Sequence, residues 1–129
     1  MRSDGDADLA RRIETIESSY EYLLAYAAQG RQHDTGTEAR DRLRAMAAAL
    51  DGLAPLVRAA LERSPADRES EVAPYLDAVE HDAAVARGAI ALVLRREAIA
   101  SLLVDNLNAS VHLRALLTDL FLVEQFLKP

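Results

Sequence analysis

The chain has 129 residues, half of them hydrophobic, and a formal net charge of −6; such a length forms one domain that buries about two thirds of its unfolded surface without a metal or disulfide. Cysteine is absent, which removes disulfides, thiolate nucleophiles and thiolate metal sites. The acidic balance, with its arginines spread along the chain, argues against a nucleic-acid footprint, and no apolar run approaches the ~20 residues of a membrane span.

All but one of the 15 basic residues are arginine and alanine is abundant, a bias typical of GC-rich bacterial coding whose physical consequence is high helix propensity. The opening stretch MRSDGDADLARR is polar and acidic with no signal core, so a cytoplasmic address is expected. Residues 1–6 lack apolar periodicity and are expected to be a mobile tail, with residues 7–129 forming the folded domain.

A first helix is expected from Ala7 to Gln29, with Leu9, Ile13, Ile16, Tyr20, Leu23 and Ala27 on its core face and Gly30 as its left-handed stop. The loop GRQHDTG then places His33 in solvent. A second helix is expected from Thr35, paired with Glu38 in a capping box, to Arg63, along the seam Leu43, Ala47, Leu50, Ala54, Val57 and Leu61. Inside it, Pro55 lacks the N–H that bonds the carbonyl of Asp51, and Gly52 loosens the backbone, so a kink or short break near Asp51 is expected.

After Arg63, Ser64 reads as a cap, Pro65 suits a first helical position and Asp67 a first turn, with a second start near Pro74. The third helix carries the most regular repeat: Val72, Leu76, Val79, Ala83, Ala86, Ile90 and Val93. A turn is placed at RREAIAS, Arg95 to Ser101, with Ser101 as the cap. Without it, Val72 to Leu127 would run as one helix of about 80 Å, a length that invites exchange between two chains.

The last helix, Ile99 to Leu127, sets Leu102, Ala109, Leu113, Leu116, Leu117, Leu120 and Leu127 on one side. A second apolar strip, Leu103, Leu107, Val111, Phe121 and Leu122, lies beside it, leaving Ser101, Asp105, Asn108, His112 and Asp119 as a narrow polar line. Such a helix must bury two sides, either centrally or against a partner. The expected fold is an all-α, single-domain antiparallel four-helix bundle with a kink in the second helix near Pro55.

Three groups of residues suggest function. Asn106, Ser110 and Arg114 share a line on the last helix; a seam amide fixes register or partner number, and the trio alternatively lines a pocket for a small anionic ligand. Tyr22 and Tyr26, one turn apart and away from the first seam, suit a protein contact. Asp77 with His81 makes at best one weak metal half-site, and no Glu-x-x-His motif, catalytic serine turn or cofactor signature is present.

On the first helix Glu14, Glu17 and Glu21 cluster, and Glu14 with Glu17 gives E-x-x-E, followed after twenty residues by E-x-x-D at Glu38 and Asp41. This spacing is similar to that of the MazG-type nucleotide pyrophosphohydrolases. The resemblance covers residues 14–41 only. It implies a magnesium-dependent nucleoside triphosphate pyrophosphohydrolase with Glu14, Glu17, Glu38 and Asp41 on the metal. The chain departs from that family in carrying Ile13 where a glutamate pair precedes the first motif. The leading expectation is non-enzymatic: a cytoplasmic homodimer assembled through the last helix, regulatory or protein-binding in role, with a further protein partner within reach of its tyrosines.

Overall fold

A computed structural model describes residues 4–62 and 71–128, and within them the chain is all-helical with six helices and no strand. These are α1 (Asp4–Ala27), α2 (Ala39–Leu50), α3 (Leu53–Leu61), α4 (Ala73–Leu94), α5 (Ser101–Asn108) and α6 (Val111–Leu127). Six replaces the expected four because two of the expected helices are each divided. The caps expected at Ser64, Pro65 and Asp67 lie outside the described residues.

α1 begins at Asp4, so the last three residues of the expected tail are helical, and Asp4 and Asp6 place negative charge on the positive end of the helix dipole. Leu9, Ile13, Ile16 and Leu23 are buried as their spacing requires. Ser19 and Tyr26, seven residues apart, are buried too. This second buried line exists because α1 packs against α2 and α3 on one flank and α5 on the other. The element with two covered sides is therefore the first helix.

The capping box expected of Thr35 and Glu38 does not form. Glu38 itself occupies the cap position of α2 without a side-chain cap bond, and the hydroxyl of Thr37 accepts the N–H of Ala39 at 3.2 Å. The division between α2 and α3 falls at Asp51 and Gly52, where Gly52 takes φ = 76°. Only glycine adopts that left-handed conformation without steric cost. Pro55 then sits in the first turn of α3, where a helix has no use for its missing N–H, so the chain breaks ahead of the proline instead of kinking at it.

α4 starts with Pro74 in its first turn and buries Leu76, Val79, Ala83, Ala86, Ile90 and Val93. It packs on α2, α3 and α6, closing one continuous core with α1. The turn between α4 and α5 is present, covering residues 95–100. The second division lies at Ala109 and Ser110: the N–H groups of these residues close the end of α5 on Asp105 and Leu107, while the carbonyl of Ser110 opens α6 by accepting from Arg114.

Two arginines finish helices other than their own. Arg12 of α1 donates to the carbonyls of Ala48, Ala49 and Asp51, satisfying the open end of α2. Arg40 of α2 donates to Leu94, Arg96 and Glu97 at 2.8–3.2 Å, satisfying the end of α4. Each places a cation on the negative end of a helix dipole and removes carbonyls that a terminus leaves unpaired.

Candidate functional site

The buried polar groups hold loops together. Ser101, expected on the solvated line, is 2% exposed: its hydroxyl donates to the carbonyl of Tyr26 and accepts the N–H of Arg31, both at 2.8 Å. It does not cap its own helix. The N–H of Ile99 reaches Asp34 at 2.9 Å, and the Tyr26 hydroxyl donates to the carbonyl of Ile99. Burial alone would raise the carboxyl of Asp34, but the Ile99 and Asp34 N–H groups and Arg40 outweigh it and hold it below the ordinary value. Asn108, also expected in solvent, is buried and donates to the carbonyl of Leu23 at 3.1 Å.

The tyrosine contact surface is corrected accordingly. Tyr26 is fully buried and Tyr22 half-buried, their rings stacked 6.4 Å apart; the Tyr22 hydroxyl accepts the N–H of Glu38, and Arg42 lies over its ring. Both are occupied by their own chain because α5 and the start of α2 cover that side of α1. Leu107, expected on the outer strip, is buried at 5% exposure, and Leu103 is half-buried. Asn106 is exposed on α5, Ser110 half-buried between α5 and α6, and Arg114 exposed on α6. The buried amide of this stretch is Asn108, and Asn106 stands outside the chain's own seam.

Several large apolar side chains also remain uncovered. Val111, Leu122, Phe126 and Phe121 are 75, 61, 60 and 51% exposed on α6. Leu122 and Phe126 also rim a groove of about 240 Å³ completed by Leu61, Val72, Tyr75 and Val123. Leu102, assigned by spacing to the core, is 70% exposed.

The groups with chemical potential meet where α4 crosses the start of α6. Asp82, nine-tenths buried, accepts or shares a hydrogen bond with Nδ1 of His112 at 2.8 Å, and the ring of His81 meets that of His112 edge-on at 5.4 Å. Burial, and secondarily the charge of Asp82, raises the carboxyl of Asp119. The Tyr75 hydroxyl donates to the Asp119 carbonyl at 2.7 Å, and its own ionisation is pushed up to about 12 by burial and then by Asp119. Asp77 and Glu80 are turned to Arg58, at 3.5 and 3.8 Å. The sequence carried one sign of this cluster: Asp82 stands three residues after Val79 and four before Ala86, on the flank of the α4 seam, where a carboxylate needs a partner.

The E-x-x-E and E-x-x-D residues do not assemble. Glu17 faces Glu124 of α6, and burial, a hydrogen bond to Glu124 and the charges of Glu124 and Glu21, opposed by Lys128, raise its pKa to about 7. Glu38 pairs with Arg42 at 3.6 Å, and Glu14 and Asp41 are exposed. Among the described residues no three His, Asp or Glu side chains form a metal-holding group, and no helix is long and apolar enough to cross a membrane. No family model, curated protein or solved structure matches the chain.

Proposed function

We propose that this protein is a non-enzymatic interaction module that pairs with a second copy of itself through α6. The observation that carries the reading is an apolar line on that helix, the exposed Val111, Leu122 and Phe126 with the half-buried Ala115, and with Thr118 between them. These positions step by four, three, four and four residues, close to the period of a helix-pairing seam and on the side opposite the buried Leu113, Leu116, Leu117 and Leu120.

A second copy fits this line better than an unrelated helix because the line complements itself. In an antiparallel pairing centred near Thr118, Val111 meets the partner's Phe126 and Ala115 meets the partner's Leu122, each small side chain opposite a large one. The two-fold axis repeats both contacts. Phe121 flanks the seam and extends the apolar area. Arg114, exposed on α6 next to Ala115, lies at its rim, where it tunes partner choice more than affinity.

Light scattering on the purified protein at tens of micromolar tests this. The expected species has twice the 14.1 kDa chain mass, and Leu122→Glu with Phe126→Glu returns it to one chain with unchanged helical signal. A monomer in the unaltered protein overturns the reading.

A further inference from the structure

We infer that His81 and His112 form a surface site for a borderline divalent transition-metal ion such as Zn²⁺, Cu²⁺ or Ni²⁺, with Asp82 as the carboxylate that orients one ligand. Three observations on α4 and α6 support it. His112 is held through Nδ1 by Asp82 at 2.8 Å, which leaves Nε2 as its free donor. A carboxylate on the far nitrogen fixes the tautomer and raises ligand basicity, the arrangement metal-binding imidazoles use. The Asp82 side chain is only 13% exposed, so its position is set by packing, whereas that of His112 is 42% exposed and open to an ion.

The second observation is spacing. Two imidazoles that share one ion, each nitrogen about 2.0–2.1 Å from it in tetrahedral geometry, set their ring centroids about 5 Å apart. His81 and His112 stand 5.4 Å apart with planes at 82°. His81 is exposed, so its ring turns to present a nitrogen without disturbing the core.

The third is charge. The Asp82 carboxylate against the His112 ring adds negative potential that favours a cation there. Imidazole donors select borderline metals over magnesium or calcium, which prefer oxygen. With two protein ligands, water completes the coordination, so the site is open and its affinity modest.

Calorimetric titration of untagged protein with ZnCl₂, CuCl₂ and NiCl₂ tests the site. One ion per chain is expected, with binding weakened at least tenfold in His81→Ala and in His112→Ala, and about tenfold or more in Asp82→Asn. His33→Ala, which removes an exposed histidine from the distant α1–α2 loop, leaves it unchanged. Circular dichroism on each variant verifies the fold, and selective broadening of the His81 and His112 ring resonances by Cu²⁺ locates the ion without any substitution. Equal binding by the wild type and both histidine variants, or broadening confined to His33, overturns the inference. So does binding of Mg²⁺ at the same strength.

Discussion

α4 and the stretch made of α5 and α6 are of similar length and similarly rich in leucine, valine and alanine, yet they obey their periodicity differently. Along α4 a single phase holds for 22 residues, and six of the seven seam positions are buried, with Val72 half-buried at its edge. Along the last stretch the same reading succeeds after residue 110 and fails before it. Leu113, Leu116, Leu117 and Leu120 are buried as expected, whereas Leu102 is exposed and Ser101, Leu107 and Asn108 are turned inward. The break at Ala109 and Ser110 resets the rotation, so a phase fixed on the long second half assigns the short first half to the wrong face. Spacing is a local rule that stays true only while the helix is unbroken.

The largest test of this contrast compares seam positions on the two sides. Ile90→Ala, in the middle of the unbroken seam and fully buried, is expected to lose about 2–5 kcal/mol in urea unfolding through lost contacts and a residual cavity. Leu102→Ala, which a continuous phase would place in the core, is expected to change stability by no more than about 0.5 kcal/mol. A loss above 2 kcal/mol at Leu102 would mean that α5 continues into α6 as one helix in solution.

Next in size is the clasp that turns α5 inward. Ser101→Ala strips the Arg31 N–H and the Tyr26 carbonyl of a shared partner, and about 1–3 kcal/mol of stability is expected to go with it, as for buried groups left unpaired. Ser18→Ala, on the exposed side of α1, is the matched control and is expected to change little. Equal effects of the two substitutions would return Ser101 to the solvated line.

Two carboxyls, Glu17 in the middle of α1 and Asp34 in the loop that follows it, also differ in their response to pH. Glu17 keeps its proton to about pH 7 when folded against an ordinary 4.5. Its protonated form therefore contributes stability that is complete below about 4.5 and is lost as pH rises through 7. Asp34 is depressed below 3.8 and contributes the opposite way: its share is present above that value and lost as pH falls through its folded pKa. Thermal melts of Glu17→Gln are expected to be flatter than wild type between about pH 5 and pH 8, while Asp34→Asn alters only the acid limb. An unchanged slope in Glu17→Gln would detach the carboxyl pair from stability.

The smallest effect concerns Asn106. Standing exposed on α5, it is expected to tolerate Asn106→Leu without loss of melting temperature, with any consequence confined to a broader distribution of oligomers in light scattering. A large loss of stability with unchanged assembly would place the amide in the fold itself.

The same contrast explains what could be read early. The seams of α1 and α4, the loss of helix at Asp51–Gly52, the start at Pro74 and the turn at 95–100 follow from residues within a few positions of one another. Such local features act through backbone conformation and the 3.6-residue repeat, which need no knowledge of the rest of the chain. Tyr26 was not legible in this way. It lies three residues past Leu23, beside the seam, and becomes core only because α5 folds across it. The pairing of His112 with Asp82, thirty residues apart, is likewise invisible to any window.

Composition and periodicity by themselves made this an all-helical chain, marked most of its buried aliphatic residues and fixed where glycine and proline interrupt it. Tertiary packing decided which helix has two covered sides, which polar groups leave water, and which carboxylates and imidazoles meet. A helix presents every face equally to its own backbone. Only the placement of neighbouring helices, set by where the breaks fall and which side chains clasp across them, determines which face is core and which stays exposed.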